Sequence, residues 1–241
     1  MPARRGVGRG YLQTLVELLL MGAKDGPVPI TTSELARRIG RSQQAASRQL
    51  ELLEGAGLVE RYRRGRSTEV KLTPQGVNEL VGLYLILRSV LEEPPESYLF
   101  TGTVFSGIGE GRYYMSLEGY RSQFARKLGF EPYPGTLNVR LDSPSQRMQF
   151  RELIARGGIR VSGFSDGVRT YGAVTCYRAL IEDVAGAVVV AERTHYDYTV
   201  MELIAPVSLR EALGLRDGDR VSVRVFSEGQ QRAEGSRRHP N

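Results

Sequence analysis

In the N-terminal part of the chain, apolar residues recur at spacings of three and four, a pattern typical of amphipathic helices. A first helix is predicted from about Tyr11 to Gly22. Its predicted buried residues are Leu12, Leu15, Val16 and Leu19. The residues Thr31-Thr32-Ser33-Glu34 have the types that open a helix, and Gly40 is expected to end this second helix.

A third helix and a basic hairpin follow in the sequence. Ser42 is the predicted cap of the helix, which runs from Gln43 to Glu54. The inward stripe of this helix consists of Ala46, Leu50 and Leu53. A strand that starts at Gly57 leads to an arginine-rich tip, Arg61 to Arg66, and a second strand, Glu69 to Leu72. This order of elements predicts a winged helix-turn-helix domain.

Several residues of this region have the types that contact DNA. The candidates on the third helix are Gln43, Gln44, Ser47 and Arg48, and those on the wing are Arg61, Arg63, Arg64 and Arg66. Residues 37–66 hold eight arginines against three glutamates, a net charge of +5 within a chain total of +6. The order resembles winged-helix regulators of the MarR and ArsR types, which implies double-stranded DNA as a partner. A protein-contact module and a solvated basic turn remain the alternatives.

A further helix begins at Pro74, a residue suited to the first helical position. Its apolar residues at heptad-like spacing are Val77, Leu80, Tyr84, Leu87 and Leu91. Such a seam favours either packing within its own domain or a homodimer through the helix at residues 74–91.

Beyond residue 97 the pattern changes to short apolar runs separated by glycines. The predicted strands are Thr101 to Phe105, Thr136 to Leu141, Gly158 to Gly163, Tyr171 to Leu180, Ala187 to Ala191, Met201 to Ala205 and Arg220 to Phe226. Helices are predicted from about Leu117 to Leu128 and near Leu209 to Leu213. Many short strands of this kind predict a small, mostly antiparallel β-barrel.

The two patterns meet at Pro94-Pro95, which cannot continue a helix. We therefore predict a multidomain α+β protein: a winged helix-turn-helix at residues 1–93, a linker at 94–98, a barrel at 99–227 and a disordered tail at 228–241. The single cysteine, Cys176, excludes an internal disulfide. The longest apolar run, around Leu18 to Met21, is far too short to span a bilayer, so no membrane partner and a cytoplasmic location are expected.

Two short motifs in the barrel region carry candidate chemistry. The first is Gly107-Ile108-Gly109-Glu110-Gly111-Arg112, where glycines allow a close backbone approach to a ligand and the arginine meets negative charge. The second is Pro134-Gly135-Thr136-Leu137-Asn138. If Leu137 lies on a strand, Thr136 and Asn138 share a face and present neutral oxygens suited to Mg²⁺. Glycines at the first spacing are also common in simple turns.

In this order the motifs resemble those of the archaeal CTP-dependent riboflavin kinases. The similar segments are GIGEGRYYMSLEGY, LGFEPYPGTLNVRL and RTHYDYTVMELIAPVSLREALGLRDGDRVSVRV, together within residues 99–227. The resemblance implies a six-stranded cradle-loop barrel in which Gly107 to Arg112 and Val207, Ser208, Leu209 and Arg210 contact CTP or CDP. It further implies that Thr136 and Asn138 hold Mg²⁺, and that Thr194 and Glu202 contact riboflavin or FMN. No catalytic base is assigned.

The resemblance implies a protein that phosphorylates riboflavin to FMN with CTP and also regulates transcription, with riboflavin biosynthesis or uptake genes as the expected targets. Two other interpretations stay open. One is a non-catalytic transcription factor whose barrel senses flavin or nucleotide, and the other is an enzyme with a purely structural winged helix. The intact GEGR and GTLN sequences favour the enzyme, because a sensor has little use for a complete Mg²⁺ seat.

Overall fold

The computed structural model describes residues 10–64, 67–107, 109–192 and 198–227, without the side chains of residues 63, 64 and 67. The chain divides into two compact units, one ending at Arg88 and the other beginning at Ser89.

The first unit is a winged helix-turn-helix domain, as predicted. Its elements are α1 (Gly10–Leu20), β1 (Val28–Pro29), α2 (Thr32–Ile39), α3 (Gln43–Gly55), β2 (Val59–Arg64), β3 (Ser67–Leu72) and the start of α4 (Pro74–Leu91). The three strands form an antiparallel sheet in the order β1-β3-β2. A single apolar core joins α1, α2 and α3 to this sheet.

The predicted helix caps are confirmed. Thr31 Oγ1 accepts a hydrogen bond from the Glu34 amide at 3.1 Å, and Ser42 Oγ accepts one from the Ala45 amide at 3.2 Å. Gly40 ends α2 with a φ of 64°, a left-handed conformation that glycine adopts without steric cost. Because these contacts are local in sequence, the residue types alone were sufficient to place them.

The predicted buried face of α1 is partly wrong, whereas the exposure of three residues of the α4 seam leaves both of its predicted roles open. In α1 the buried residues are Thr14, Leu15 and Leu18, whereas Val16 and Leu19 are 38% and 36% exposed. In α4 the buried residues are Gly76, Leu80 and Leu85. Of the predicted seam, Tyr84, Leu87 and Leu91 are exposed. Apolar residues occur on more than one face of both helices, so spacing alone did not determine which face is buried.

The second unit is a closed six-stranded antiparallel barrel with helices around it. Its elements are β4 (Ser97–Phe105), α5 (Glu110–Ser116), α6 (Glu118–Leu128), β5 (Leu137–Arg140), α7 (Pro144–Arg156), β6 (Ile159–Val161), β7 (Phe164–Ser165), β8 (Thr170–Tyr171), β9 (Val174–Ile181), β10 (Val184–Ala191), β11 (Val200–Ile204), α8 (Leu209–Ala212) and β12 (Arg220–Phe226). The ring runs β4-β5-β11-β10-β9-β12 and returns to β4.

The barrel is filled by alternate residues of its strands. In β4, Tyr98, Phe100 and Val104 point into the core, and Met201 and Leu203 do so in β11. Two helices were not predicted: α5, which includes the end of the first glycine motif, and α7. Helix α7 closes the core with Phe150 and Leu153.

Candidate active site and nucleic-acid interface

The two motifs singled out in the sequence meet in the structure. Strand β5 places Asn138 opposite Phe105, the last residue of β4, and the chain then passes over the Asn138 side chain at Gly107. A Cβ atom at Gly107 would lie 2.5 Å from Asn138 Nδ2, and one at Gly111 would lie 2.9 Å from Thr136 Cγ2. Both distances are too short for a side chain. The glycines therefore let the first motif lie directly on the second.

The first motif is only partly a loop. Gly109 has a φ of 85° and precedes α5, so Glu110, Gly111 and Arg112 form the first turn of that helix. Arg112 is exposed. Ile108 lies outside the described residues. The expectation of a continuous glycine loop is thus corrected to a short loop followed by a helical turn.

Thr136 and Asn138 share one face, as the alternation of strand residues predicts. Leu137, between them, is buried in the barrel core, whereas Thr136 and Asn138 are half-buried. In the described part of the chain, no group of three or more His, Cys, Asp or Glu side chains is placed to hold a metal ion. The oxygen atoms of Thr136 and Asn138 are neutral, and they fit a Mg²⁺ that keeps several waters and also binds phosphate.

Glu202 lies next to Asn138 on the neighbouring strand. The two residues are cross-strand partners between β11 and β5, and Glu202 is paired on its other side with Val189 of β10. Burial raises the pKa of the Glu202 carboxyl, and the nearby carboxylate of Glu110 raises it further. Glu110 belongs to the first motif, so the charges of Glu202 and of this motif are close enough to affect each other.

Glu202 also lines a cavity of about 430 Å³. The apolar part of the cavity wall consists of Phe150, Ile154, Tyr177, Val189, Val190, Ala191 and Val200. The polar part consists of Glu202, Thr175, Tyr198 and the ion pair between Arg160 and Glu192. A cavity of this size that combines apolar walls with several polar groups is typical of a small-molecule site. Thr194, the other predicted flavin contact, lies outside the described residues.

The segment Val207 to Arg210, the third part of the chain predicted to contact ligands, is connected by hydrogen bonds to residues next to the two motifs. The Tyr133 amide, directly before the second motif, donates to the Ala205 carbonyl at 2.7 Å, two residues before Val207. Ser208 Oγ accepts from the Glu211 amide at 3.4 Å and caps α8. The Leu209 side chain is buried in the barrel core, so only its backbone is available to a ligand.

Asp217 connects this segment to the first motif. It accepts hydrogen bonds from the Ser106 amide at 3.0 Å, from Ser106 Oγ at 3.1 Å and from Arg210 Nη2 at 2.7 Å. The hydrogen bond from Arg210, followed by those from Ser106, lowers the pKa of Asp217. Sequence reasoning missed the pairing of Ser106 with Asp217, because they are 111 residues apart, although Asp217 lies within the third segment of the resemblance.

Only some of the α3 side chains predicted to contact DNA are exposed. Gln43, Gln44 and Arg48 are exposed on α3, and Gln43 Nε2 donates to Thr32 Oγ1 at 3.0 Å. Ser47 is half-buried, with Oγ 3.5 Å from Glu51 Oε1.

The wing arginines differ from one another. Arg61 is half-buried, and its Nε donates to Glu54 Oε2 at 2.7 Å within a salt bridge. Arg63 and Arg64 lie at the end of β2, with side chains outside the described atoms, and Arg66 lies outside the described residues. Arg61 is therefore partly neutralised by its own domain.

Comparisons with known proteins give the family. The model of the CTP-dependent riboflavin kinases, described as "Domain of unknown function DUF120", matches residues 104–225. A "Helix-turn-helix domain" model matches residues 13–62. A riboflavin kinase of Archaeoglobus fulgidus is 44% identical over 216 residues, which cover 89% of this chain and 91% of that protein. The chain belongs to the archaeal riboflavin kinase family.

Other riboflavin kinases are similarly close. Those of Halobacterium salinarum and Methanosarcina acetivorans are 44% and 39% identical, over 91% and 90% of this chain and 95% and 92% of their own lengths. The S. aureus MepR–DNA complex aligns at 20% identity over 35% of this chain and 67% of that chain, with a TM-score of 0.31. No helix among the described residues has both the length and the apolar character to cross a membrane.

Proposed function

We propose that this member of the riboflavin kinase family transfers the γ-phosphoryl group of CTP to the 5′-hydroxyl of riboflavin, giving CDP and FMN. The observation that carries the proposal is the packing of Gly107 and Gly111 on Asn138 and Thr136, beside a cavity lined by Glu202. This packing supports a phosphate-binding segment beside an acceptor cavity. The choice of CTP rests on the name of the matching family.

In this proposal the cavity holds the flavin ring. The apolar part of its wall, which includes Phe150, Tyr177 and Val189, suits a flat aromatic system. Glu202 borders both the cavity and Asn138, and it is suited to accept a hydrogen bond from riboflavin. Thr194 is the second proposed flavin contact. The arrangement leads the ribityl chain from the cavity toward the nucleotide.

The nucleotide is proposed to bind between Gly107 to Arg112 and Val207 to Arg210. Asp217 supports both segments, through Ser106 and Arg210. Phosphoryl transfer of this kind proceeds through a loose transition state, in which the bond to the departing CDP oxygen breaks as the bond to the hydroxyl oxygen forms. Positioning and charge neutralisation then dominate the rate, so we assign no catalytic base.

Mg²⁺ is the proposed cofactor, held by Thr136 and Asn138. When bound, the ion neutralises negative charge on the phosphates. The neutral, half-buried oxygens of these residues, beside glycines that leave room for a ligand, fit this role. Asn138 lies on strand β5 and Thr136 directly precedes that strand, so the barrel holds both side chains beside Gly107 and Gly111.

The experiment combines purified protein, riboflavin and Mg²⁺ with CTP or ATP in separate reactions, followed by chromatography for FMN. We expect FMN with CTP and at most slow formation with ATP. No FMN with either nucleotide would refute the kinase and favour a flavin or nucleotide sensor. The Asn138→Ala variant should lose turnover at ordinary Mg²⁺ concentrations while its DNA binding is unchanged. Full activity of this variant would refute the metal assignment.

We also propose that the first unit binds double-stranded DNA and regulates transcription, with riboflavin biosynthesis or uptake genes as targets. Support comes from the helix-turn-helix match, the exposed Gln43, Gln44 and Arg48, and the net charge of +5 in residues 37–66. A homodimer through α4 is part of this proposal, because its exposed Tyr84, Leu87 and Leu91 recur on one side of the helix.

A mobility-shift titration at several salt concentrations tests the DNA proposal. Each phosphate contact contributes about 0.9 to the slope of log affinity against log salt. Arg63→Ala/Arg64→Ala/Arg66→Ala should therefore weaken binding and reduce the slope by up to about 3. A matched control removes three exposed arginines from the second unit, Arg126, Arg216 and Arg224. Equal losses from both triple variants would mean that only net charge matters and that the wing is not the contact.

A further inference from the structure

A small hairpin outside the barrel packs on the helices that follow the first motif. In the described part of the chain, its strands β7 and β8 pair only with each other. The rings of Phe164 and Tyr171 stack at 4.8 Å, and Phe164 also lies edge-on to Tyr120 of α6 at 4.9 Å. A Cβ at Gly119 would lie 2.7 Å from the Phe164 ring, so the hairpin is seated directly on α6.

A chain of hydroxyl hydrogen bonds continues from the hairpin to α5. Tyr113 Oη lies 2.6 Å from Tyr171 Oη, which in turn lies 3.0 Å from Asp166 Oδ2. The amides of Arg169 and Val168 donate to Asp166 Oδ1 and lower the pKa of this carboxyl, which therefore stays ionised. An ionised carboxylate only accepts, so Tyr171 donates to Asp166 and Tyr113 donates to Tyr171.

Helix α5 needs such external contacts. It has seven residues, and its N-cap, Gly109, offers no side chain to the first turn. Helices this short are not stable by themselves, so contacts with the rest of the fold set their position. Tyr113 follows Arg112 directly and stands two residues beyond Gly111, which packs on Thr136. The position of Tyr113 therefore affects where Gly107 to Arg112, the segment proposed to bind the nucleotide, lies.

We propose that Tyr113, Tyr171 and Asp166 form a clamp that positions the segment Gly107 to Arg112 for the nucleotide. The inference rests on the proposed kinase function and adds three positioning residues to it. The clamp acts through α5: Asp166 fixes the Tyr171 hydroxyl, this hydroxyl holds Tyr113, and Tyr113 holds the helix that carries Glu110, Gly111 and Arg112. Loss of the clamp weakens nucleotide binding and leaves the flavin cavity as it is.

The test uses Tyr113→Phe and Tyr171→Phe in the full chain, because phenylalanine keeps the ring packing and removes only the hydroxyl. We expect each variant to raise the KM for CTP by about threefold to tenfold, the range of one net hydrogen bond. The kcat and the KM for riboflavin should stay within about twofold. The double variant should be no worse than Tyr171→Phe alone, because both changes break the same chain.

The matched control is Tyr120→Phe, which removes a hydroxyl from the same aromatic cluster but lies on α6. The Tyr120 hydroxyl donates to the Gly172 carbonyl at 2.6 Å and is not part of the hydroxyl chain from Asp166 to Tyr113, and phenylalanine keeps the edge-on contact of its ring with Tyr171. We expect an unchanged KM for CTP. The clamp would be overturned by an equal rise in the KM for CTP of Tyr120→Phe, or by an unchanged KM for CTP of Tyr113→Phe.

Calorimetric titration of CTP without riboflavin separates this inference from the kinase proposal. If the wild-type chain forms no FMN, the kinase proposal is refuted. The clamp then still predicts a larger Kd for CTP in Tyr113→Phe and Tyr171→Phe than in Tyr120→Phe. A wild-type chain that binds no CTP overturns both. Equal Kd values in all three variants overturn the clamp alone.

Discussion

Replacing Gly111 with alanine tests the contact between the two motifs most directly. The new Cβ would lie 2.9 Å from Thr136 Cγ2 and 3.1 Å from Thr136 Cβ, and closer still to Oγ1. Carbon atoms prefer separations of about 3.5–4.0 Å. Either Thr136 or the first turn of α5 therefore has to move by about half an ångström or more to restore such separations.

The expected loss of stability is small. Overpacking costs about 1–3 kcal/mol, and alanine returns about 0.5–1 kcal/mol because glycine is unfavourable inside a helix. The net destabilisation is about 0.5–2 kcal/mol, which lowers the melting temperature of a unit of this size by about 2–6 °C. The chain should therefore still fold.

The expected loss of activity is larger. A misplacement of about 1 Å at a reacting centre can reduce the rate about 100-fold, so we expect kcat/KM for CTP to fall about 10-fold to 100-fold. The assay measures kcat/KM at saturating riboflavin together with thermal unfolding by circular dichroism. A Gly111→Ala variant with kcat/KM within twofold of wild type would refute the close contact and its role.

Two further variants sharpen this test. A Cβ added at Gly172 would meet no described atom within 4 Å, so Gly172→Ala is the control for adding a methyl group to the same unit. Thr136→Ser removes Cγ2 but keeps the hydroxyl. In a Gly111→Ala background this change removes the contact with Cγ2 but keeps those with Oγ1 and Cβ, so we expect only a partial recovery of activity.

Three other outcomes follow from the structure. Asp217→Asn should raise the KM for CTP with kcat little changed, because Ser106 and Arg210 lose a charged acceptor. The pKa of Asp217 is lowered from 3.8, so the hydrogen bonds of the wild-type carboxylate to Ser106 and Arg210 are complete above that pH. They are lost only as the pH falls through the pKa of the folded state. Leu87→Lys should make the chain monomeric in sedimentation equilibrium, and a monomeric wild type would contradict the dimer. Gly82→Ala, with open space around its Cβ, should stabilise α4 by about 1 kcal/mol in a denaturant titration.

Features encoded by neighbouring residues were predictable from the sequence. The caps at Thr31 and Ser42 and the end of α2 at Gly40 depend on contacts within a few residues. The shared face of Thr136 and Asn138 follows from the two-residue period of a strand. The resemblance then suggested what spacing could not, namely which ligands to propose.

Features that depend on distant residues were missed. Helix α5 contains EGRYYMS, which has weak helical character, and distant contacts through Tyr113 and Tyr114 hold it in place. Helix α7 buries an acidic residue, Glu152, which accepts a hydrogen bond from Tyr98 at 3.1 Å and pairs with Arg156. A polar residue on the buried face obscures the apolar period that predicts a helix. The Ser106–Asp217 anchor likewise becomes visible only when the barrel is closed.

The closure of the barrel also sets an order of events during protein synthesis. Strand β12 is the last strand of the ring in the chain, yet it pairs with the first, β4, and Asp217 just before it anchors Ser106. Until the ribosome has added Asp217 and β12, the ring is open and Ser106, directly before the first motif, lacks its hydrogen-bond acceptor. The N-terminal unit is complete long before that point and is able to fold first. A nascent chain therefore has a finished helix-turn-helix domain before it has a finished kinase site.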